Sequence, residues 1–171
     1  MLRMSDDASF EALAMPLFDA LYNYARWLTH DATEAEDLVQ ETYLKAFRGF
    51  HSFRPGTNFR AWMYRILRNT FLTSRSGLRV VVSIDEDPDQ FEMIGVEETP
   101  ESHLLQRATG EALERAIREL ALPFREVLLL ADVEDMSYKE IAETLSIPVG
   151  TVTSRLLRAR AKVRIALGRP T

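Results

Sequence analysis

Apolar residues recur at helical spacing along most of the chain. Phe10, Leu13, Leu17, Leu21, Tyr24 and Leu28 form one stripe, which predicts a helix over residues 6–29. A second helix is expected to start at Asp31 or Thr33, since each stands three residues before a glutamate, Glu34 or Glu36, in the capping-box arrangement. Its apolar face would be Ala35, Leu38, Val39, Thr42, Ala46 and Phe47. The stretch HSFRPGTN then supplies turn residues, and a third helix is expected from about Phe59 to Ser74, capped by Thr57 or Asn58. Residues 77–100 break the pattern with Gly77, Pro88, Gly95 and Pro100. Within them VVVSI is strand-like in composition, but a lone strand has no partner for its ladder, so an extended segment is expected. Helical periodicity resumes over 100–121, 123–133, 137–145 and 149–167. The fold class is therefore all-α: two small helical domains, residues 1–76 and 100–171, joined by a linker over 77–99.

Charge sharpens this division. The net charge is −5, which at first argues against a nucleic-acid partner. The average conceals segregation. Between Glu41 and Asp85 no acid occurs, yet eight bases do: Lys45, Arg48, Arg54, Arg60, Arg65, Arg68, Arg75 and Arg79. From Asp85 to Glu101 there are eight acids and no base, and after Glu143 only bases remain. A basic stripe is the electrostatic footprint of phosphate binding. An ordinary solvated surface mixes the two signs, so two acid-free basic segments favour DNA or RNA as partner.

The basic C-terminal end has the pattern of a helix-turn-helix. Ser137 and Glu140 can form a capping box, Tyr138, Ile141, Ala142 and Leu145 make one apolar face, and Pro148 and Gly150 mark the turn. The next helix would bury Val152, Leu156, Ala159, Val163 and Leu167. At about 100° per residue, Thr151, Ser154, Leu157 and Arg158 then lie opposite that core, flanked by Arg155 and Arg160. In a helix-turn-helix the N-terminal residues of the second helix meet base edges. Arg158 could bond a guanine, Thr151 and Ser154 a base or phosphate, and Leu157 a thymine methyl. Arg155, Arg160, Lys162 and Arg164 are better placed to neutralise phosphate. An amphipathic helix pair packing on another protein is the competing explanation; an outward Leu157 among hydroxyls and arginine favours a groove.

Two features of the N-terminal half carry further chemistry. The solvent face of the second helix, with Asp37, Gln40, Glu41, Leu44 and Lys45, mixes acids with an exposed leucine. It is either plainly solvated or a dock for a basic partner helix. Downstream, Phe47, Phe50, Phe53, Phe59, Trp62, Tyr64 and Phe71 interleave with Arg48, Arg54, Arg60, Arg65 and Arg68. Unstacked single strands need that mixture, π-faces for bases and cations for phosphates. Helical spacing turns Phe59, Trp62 and Ile66 inward, which leaves Phe53 in the loop and Tyr64 on the helix as the exposed candidates.

Other function classes find little support. With no cysteine, disulfides and thiolate metal sites are excluded. His30, His51 and His103 lack ligand spacing, and no glycine-rich phosphate loop or nucleophile motif occurs, so neither enzyme activity nor a cofactor is expected. No signal-peptide core or run of about 20 apolar residues is present, so no membrane insertion and a cytoplasmic location are expected. A stand-alone helix-turn-helix regulator remains as a rival, but it leaves the aromatic–arginine stretch idle.

The segments DATEAEDLVQETYLKAF, FRAWMYRILRNTF, LPFREVLLL, SYKEIAETLSIPVGTV and SRLLRARAK closely resemble the sigma-70 family. With only a tether between two domains, the chain resembles the extracytoplasmic-function (ECF) sigma factors. The resemblance covers nearly the whole chain except residues 77–98. It implies that residues 31–48 dock on the clamp coiled coil of RNA polymerase through Asp37, Gln40, Glu41 and Leu44. It implies that residues 51–58 capture a flipped base of the −10 element and that helix 59–75 holds the non-template strand. The −10 contacts would be Phe53, Arg54, Asn58, Arg60, Tyr64, Arg65 and Arg68. Residues 100–171 would read the −35 element as duplex through Thr151, Thr153, Ser154, Arg155, Leu157, Arg158 and Lys162, and would meet the polymerase flap. The acidic tether would thread the RNA exit channel, and an anti-sigma factor is the expected further partner. The chain departs from the family pattern at Thr153, where many relatives carry a basic residue.

Overall fold

The computed structural model describes residues 2–75 and 110–168. The expected acidic linker, its VVVSI segment and the helical start over 100–109 lie outside the described residues. Every regular element among the described residues is helical. Backbone contacts group these residues into two compact units, 2–75 with 139–147, and 110–138 with 148–168.

The first unit begins with α1 (Leu2–Ala14), one 3-10 turn (Met15–Leu17) and α2 (Phe18–Thr29). The expected single helix over 6–29 is thus two. Pro16 lacks an N–H and its ring crowds the preceding turn, so the α-helical ladder stops there. The break shifts the phase of the stripe: Phe10 and Ala14 are buried before it, Leu21, Tyr24 and Leu28 after it, and Leu13 is left exposed.

Two caps fix the helices that follow. His30 adopts φ 59°, closing α2, and the Asp31 carboxylate accepts the Glu34 backbone N–H at 2.9 Å to open α3 (Ala32–Gly49). Asp31 rather than Thr33 is therefore the start. Glu34 pairs with the Arg75 guanidinium at 2.9 Å, tying the start of α3 to the end of α4 (Phe59–Ser74). Asn58 caps α4 by accepting the Ala61 N–H at 3.0 Å. The core is built from α2, α3 and α4, with Ala35, Leu38, Val39, Thr42 and Ala46 buried on α3. Phe47, expected on that face, is 47% exposed and only meets Phe10 edge-on at 5.5 Å.

In the second unit α5 (Gly110–Arg118) precedes α6 (Leu122–Leu128), which has Pro123 in its first turn. The helix expected over 123–133 widens into a π-helical turn, Leu129–Val133, whose end bond runs from the Glu134 N–H to the Leu129 carbonyl. Two further helices complete the sequence: α7 (Tyr138–Leu145), which beyond Tyr138 groups with the first unit, and α8 (Val149–Gly168) of the second. α8 packs on α5 and α6 and buries Val152, Leu156, Ala159 and Val163 as the periodicity requires. Leu167, at the far end, is half-buried, and Tyr138 on α7 is exposed rather than turned inward.

Candidate nucleic-acid interface

The turn between α7 and α8 is set by backbone geometry. Ser146 takes φ 55°, and the Ile147 N–H reaches back to the Ala142 carbonyl at 3.1 Å, a six-residue closure that satisfies an orphan carbonyl. Pro148 then restarts the chain, its carbonyl accepting from Thr151 and Val152 at 3.0 and 3.2 Å. On α8, Thr151, Thr153, Ser154, Leu157, Arg158 and Lys162 are all half-buried and lie away from the core stripe. The Thr153 and Ser154 hydroxyls donate to the Val149 and Thr151 carbonyls, each at 3.2 Å. In this arrangement each oxygen presents its lone pairs outward, suited to accept from a base amino group. Lys162 lies 5.1 Å from the Phe124 ring centroid, a cation–π contact that holds the ammonium against α6.

Two basic residues of α8 depart from expectation. Arg155 is only 8% exposed, inside the unit with Arg125 and Glu126, so it is not a phosphate contact. An ion buried this way needs compensating partners and belongs to the support of the helix. Its position one residue before Leu156 and three after Val152, at the edge of the core stripe, is the sequence signal for this. Arg160 forks onto Asp132, with bonds of 2.6 and 3.2 Å, and this pairing holds its pKa above the ordinary arginine value.

In the first unit Asp37, Gln40, Glu41 and Leu44 sit at i, i+3, i+4 and i+7 on α3 and are all exposed, Leu44 at 48%. Glu41 is joined to Lys45 at 3.3 Å. The stripe thus sets one exposed leucine among acidic and amide side chains on the solvent face of α3.

The loop from Gly49 to Asn58 is held by its own polar groups. Ser52 donates to the Gly49 carbonyl at 2.6 Å, Phe53 N–H to Phe50 at 3.0 Å and the Thr57 hydroxyl to Arg54 at 2.7 Å. Gly56 turns the chain at φ 86°. Phe53 is half-buried, not fully outward: it stacks on Phe50 at 6.0 Å and meets Phe59 and Trp62 at 5.2 and 5.3 Å. Arg54 and Arg65 are exposed, while Asn58, Arg60 and Arg68 are half-buried. Tyr64 corrects the expectation outright. It is 0% exposed and lies against Tyr24 with ring centroids 5.3 Å apart, so no DNA can reach it. Phe59, Trp62 and Ile66 are half-buried instead, because the core face of α4 is Ala61, Met63, Tyr64, Leu67 and Phe71, rotated from the assumed stripe.

With this geometry in place, known proteins supply a frame. A family model of Sigma-70 region 2 matches residues 13–79, and one of Sigma-70, region 4 matches residues 110–163. The RNA polymerase sigma-H factor of Pseudomonas aeruginosa is 33% identical over 174 residues, covering 97% of this chain and 90% of that protein. The ECF RNA polymerase sigma factor SigE of Mycolicibacterium smegmatis is 34% identical over 169 residues. That alignment takes in 92% of this chain, which spans only 64% of SigE. Among solved structures, the sigma factor RpoE in a co-crystal with the anti-sigma factor NepR from Bartonella quintana superposes with a TM-score of 0.72 at 28% identity, covering 95% of this chain and 99% of RpoE. A stripe of acids and leucine on α3, an ordered aromatic loop before α4 and a basic helix after a tight turn thus fall inside two matched regions of one lineage, and the chain belongs to the sigma-70 family, in its ECF group.

Proposed function

We propose that this protein is an ECF sigma factor that binds core RNA polymerase in the cytoplasm and directs promoter-specific initiation. The observation that carries this is the exposed α3 stripe of Asp37, Gln40, Glu41 and Leu44, immediately followed by an ordered aromatic loop. A stand-alone DNA-binding protein has no use for that pairing.

The division of labour follows from the chemistry of each surface. The α3 stripe docks on a basic partner, the clamp coiled coil of polymerase. Phe53 and Arg54 in the loop, with Asn58, Arg60, Arg65 and Arg68, hold the unstacked −10 strand. Asn58 also keeps its capping bond, so its remaining amide donors are the ones offered to DNA. Thr151, Thr153, Ser154, Leu157, Arg158 and Lys162 on α8 meet the −35 duplex, and the same unit meets the polymerase flap. The mechanism is capture without covalent chemistry. Unstacking a base costs a few kcal/mol, and stacking on a prepared ring platform returns about 1–3 kcal/mol per base. The loop is already closed by its own hydrogen bonds, so little further ordering is needed when a base enters. An anti-sigma factor, the kind of partner seen with RpoE, is the expected regulator.

Run-off transcription on a randomised promoter library, with core polymerase alone and with the protein added, tests the proposal. New start sites sharing a −35 and a −10 sequence support it; an unchanged transcript set contradicts it.

A further inference from the structure

Thr153, Arg160 and Arg164 stand at i, i+7 and i+11 on α8, in a row beside the base-facing residues. An arginine there would ordinarily take a phosphate. Arg160 is occupied instead. Its Nε donates to Asp132 Oδ2 at 3.2 Å and its Nη2 to Oδ1 at 2.6 Å, the two-bond fork that matches guanidinium to carboxylate. The carboxylate arrives from another element, 28 residues earlier, on the π-helical turn that ends α6. Such turns are uncommon and frequently mark functional positions.

We propose that Asp132 is a specificity-determining positioning residue for α8: by holding Arg160 it withholds one sequence-independent phosphate contact from DNA. This rests on the assignment of α8 as the duplex-reading helix. A phosphate contact strengthens binding to every sequence alike, whereas Thr151, Ser154, Leu157 and Arg158 discriminate between sequences. The carboxylate acts twice. It fills the guanidinium fork, and its charge repels phosphate on the same side of the helix. Affinity for arbitrary duplex falls and the ratio of specific to non-specific binding rises. For a protein that must find few sites among many, that ratio is the relevant quantity.

Fluorescence anisotropy of the full chain with a promoter-free duplex, titrated between about 50 and 200 mM salt, tests this. Each added phosphate contact steepens the dependence of log affinity on log salt by about 0.9. Asp132→Asn is expected to steepen the slope by that amount, an additional loss of about 3.5-fold across the interval. Arg160→Gln alone leaves the wild-type slope, and adding it to Asp132→Asn restores that slope. Asp132→Ser, with circular dichroism on every variant, guards against an effect of misfolding. If both Asp132 variants keep duplex binding with the wild-type slope, the proposal is overturned while α8 remains the reading helix. A shallower slope for Arg160→Gln alone also overturns it, since Arg160 would then contact phosphate beside its carboxylate. If the wild-type chain shows no salt-dependent duplex binding, the proposal falls together with the assignment of α8.

Discussion

Arg158→Ala is expected to relax base preference at one −35 position, at a cost of about 1–3 kcal/mol in discrimination. Arg158 lies away from the core stripe of α8, so the melting temperature should hold; selection on a −35 library reads the effect, and unchanged preference would remove Arg158 from the base-reading set. On the proposed function, Phe53→Ala should slow promoter melting more than closed-complex formation, because base stacking is gained only once the strand opens. Stopped-flow reporters placed at −10 separate the two steps, and equal losses would make Phe53 a packing residue. Tyr43 tests a different force. Its hydroxyl donates to the Ala14 carbonyl at 2.6 Å, and burial first, then the charge of Asp19, push the phenol up from 10.0 to about 12. A pKa raised by folding means stability is complete below the unfolded value and drains as pH climbs from about 10 toward 12. Tyr43→Phe should lack that alkaline loss in denaturation curves; an unchanged profile would show the phenol does not titrate with unfolding. The placement of Arg158 off the core stripe of α8 was legible because Val152, Leu156, Ala159 and Val163 mark that stripe clearly, whereas the packing of the Phe53 ring against Phe50, Phe59 and Trp62 was not, since a loop has no periodicity to read. Sequence patterning misplaced Tyr64, since in a run as aromatic as FRAWMYRIL several phases bury apolar rings equally well. Arg155 was missed for a related reason: a charge counts as outward until packing shows how it is compensated.

At the level of elements, the caps were the most legible feature. Asp31 and Asn58 each sit three residues before the N–H they accept, and that relation is local enough to read from spacing. Pro16 could also be read, as a break in the first stripe, although the stripe looks continuous when only apolar positions are counted. The π-helical turn at Leu129–Val133 could not, because no residue type encodes it; it depends on how LLADV settles between α6 and the rest of its unit. The exposed face of α3 gives the element-scale prediction. Leu44→Asp should weaken binding to core polymerase at least tenfold while changing stability by only about ±0.5 kcal/mol, the range for surface substitutions. Surface plasmon resonance against core enzyme and a thermal melt check the two halves, and full affinity in the variant would return α3 to the status of a solvated helix.

Across the whole molecule, segregated charge was the signal that outweighed composition. An acidic chain of net charge −5 contains two acid-free basic tracts, the first inside the residues matched by Sigma-70 region 2 and the second beginning inside those matched by Sigma-70, region 4. Helix content and the two-part organisation follow from periodicity because amphipathic helices must bury one face wherever they occur. The partner of each surface does not follow from periodicity, since an acidic stripe is compatible with water as well as with a basic helix. The choice of transcription initiation comes from the two sigma-70 regions that the chain matches, within which the exposed α3 stripe, the aromatic loop and the basic α8 fall. Footprinting of a promoter with core polymerase and this protein, combined with permanganate probing of unpaired thymines, addresses that conclusion most directly. The account predicts a duplex tract protected near −35 and thymines made reactive near −10, both dependent on the protein. Polymerase that yields neither signal when the protein is added, on promoters recovered from the library, would contradict it.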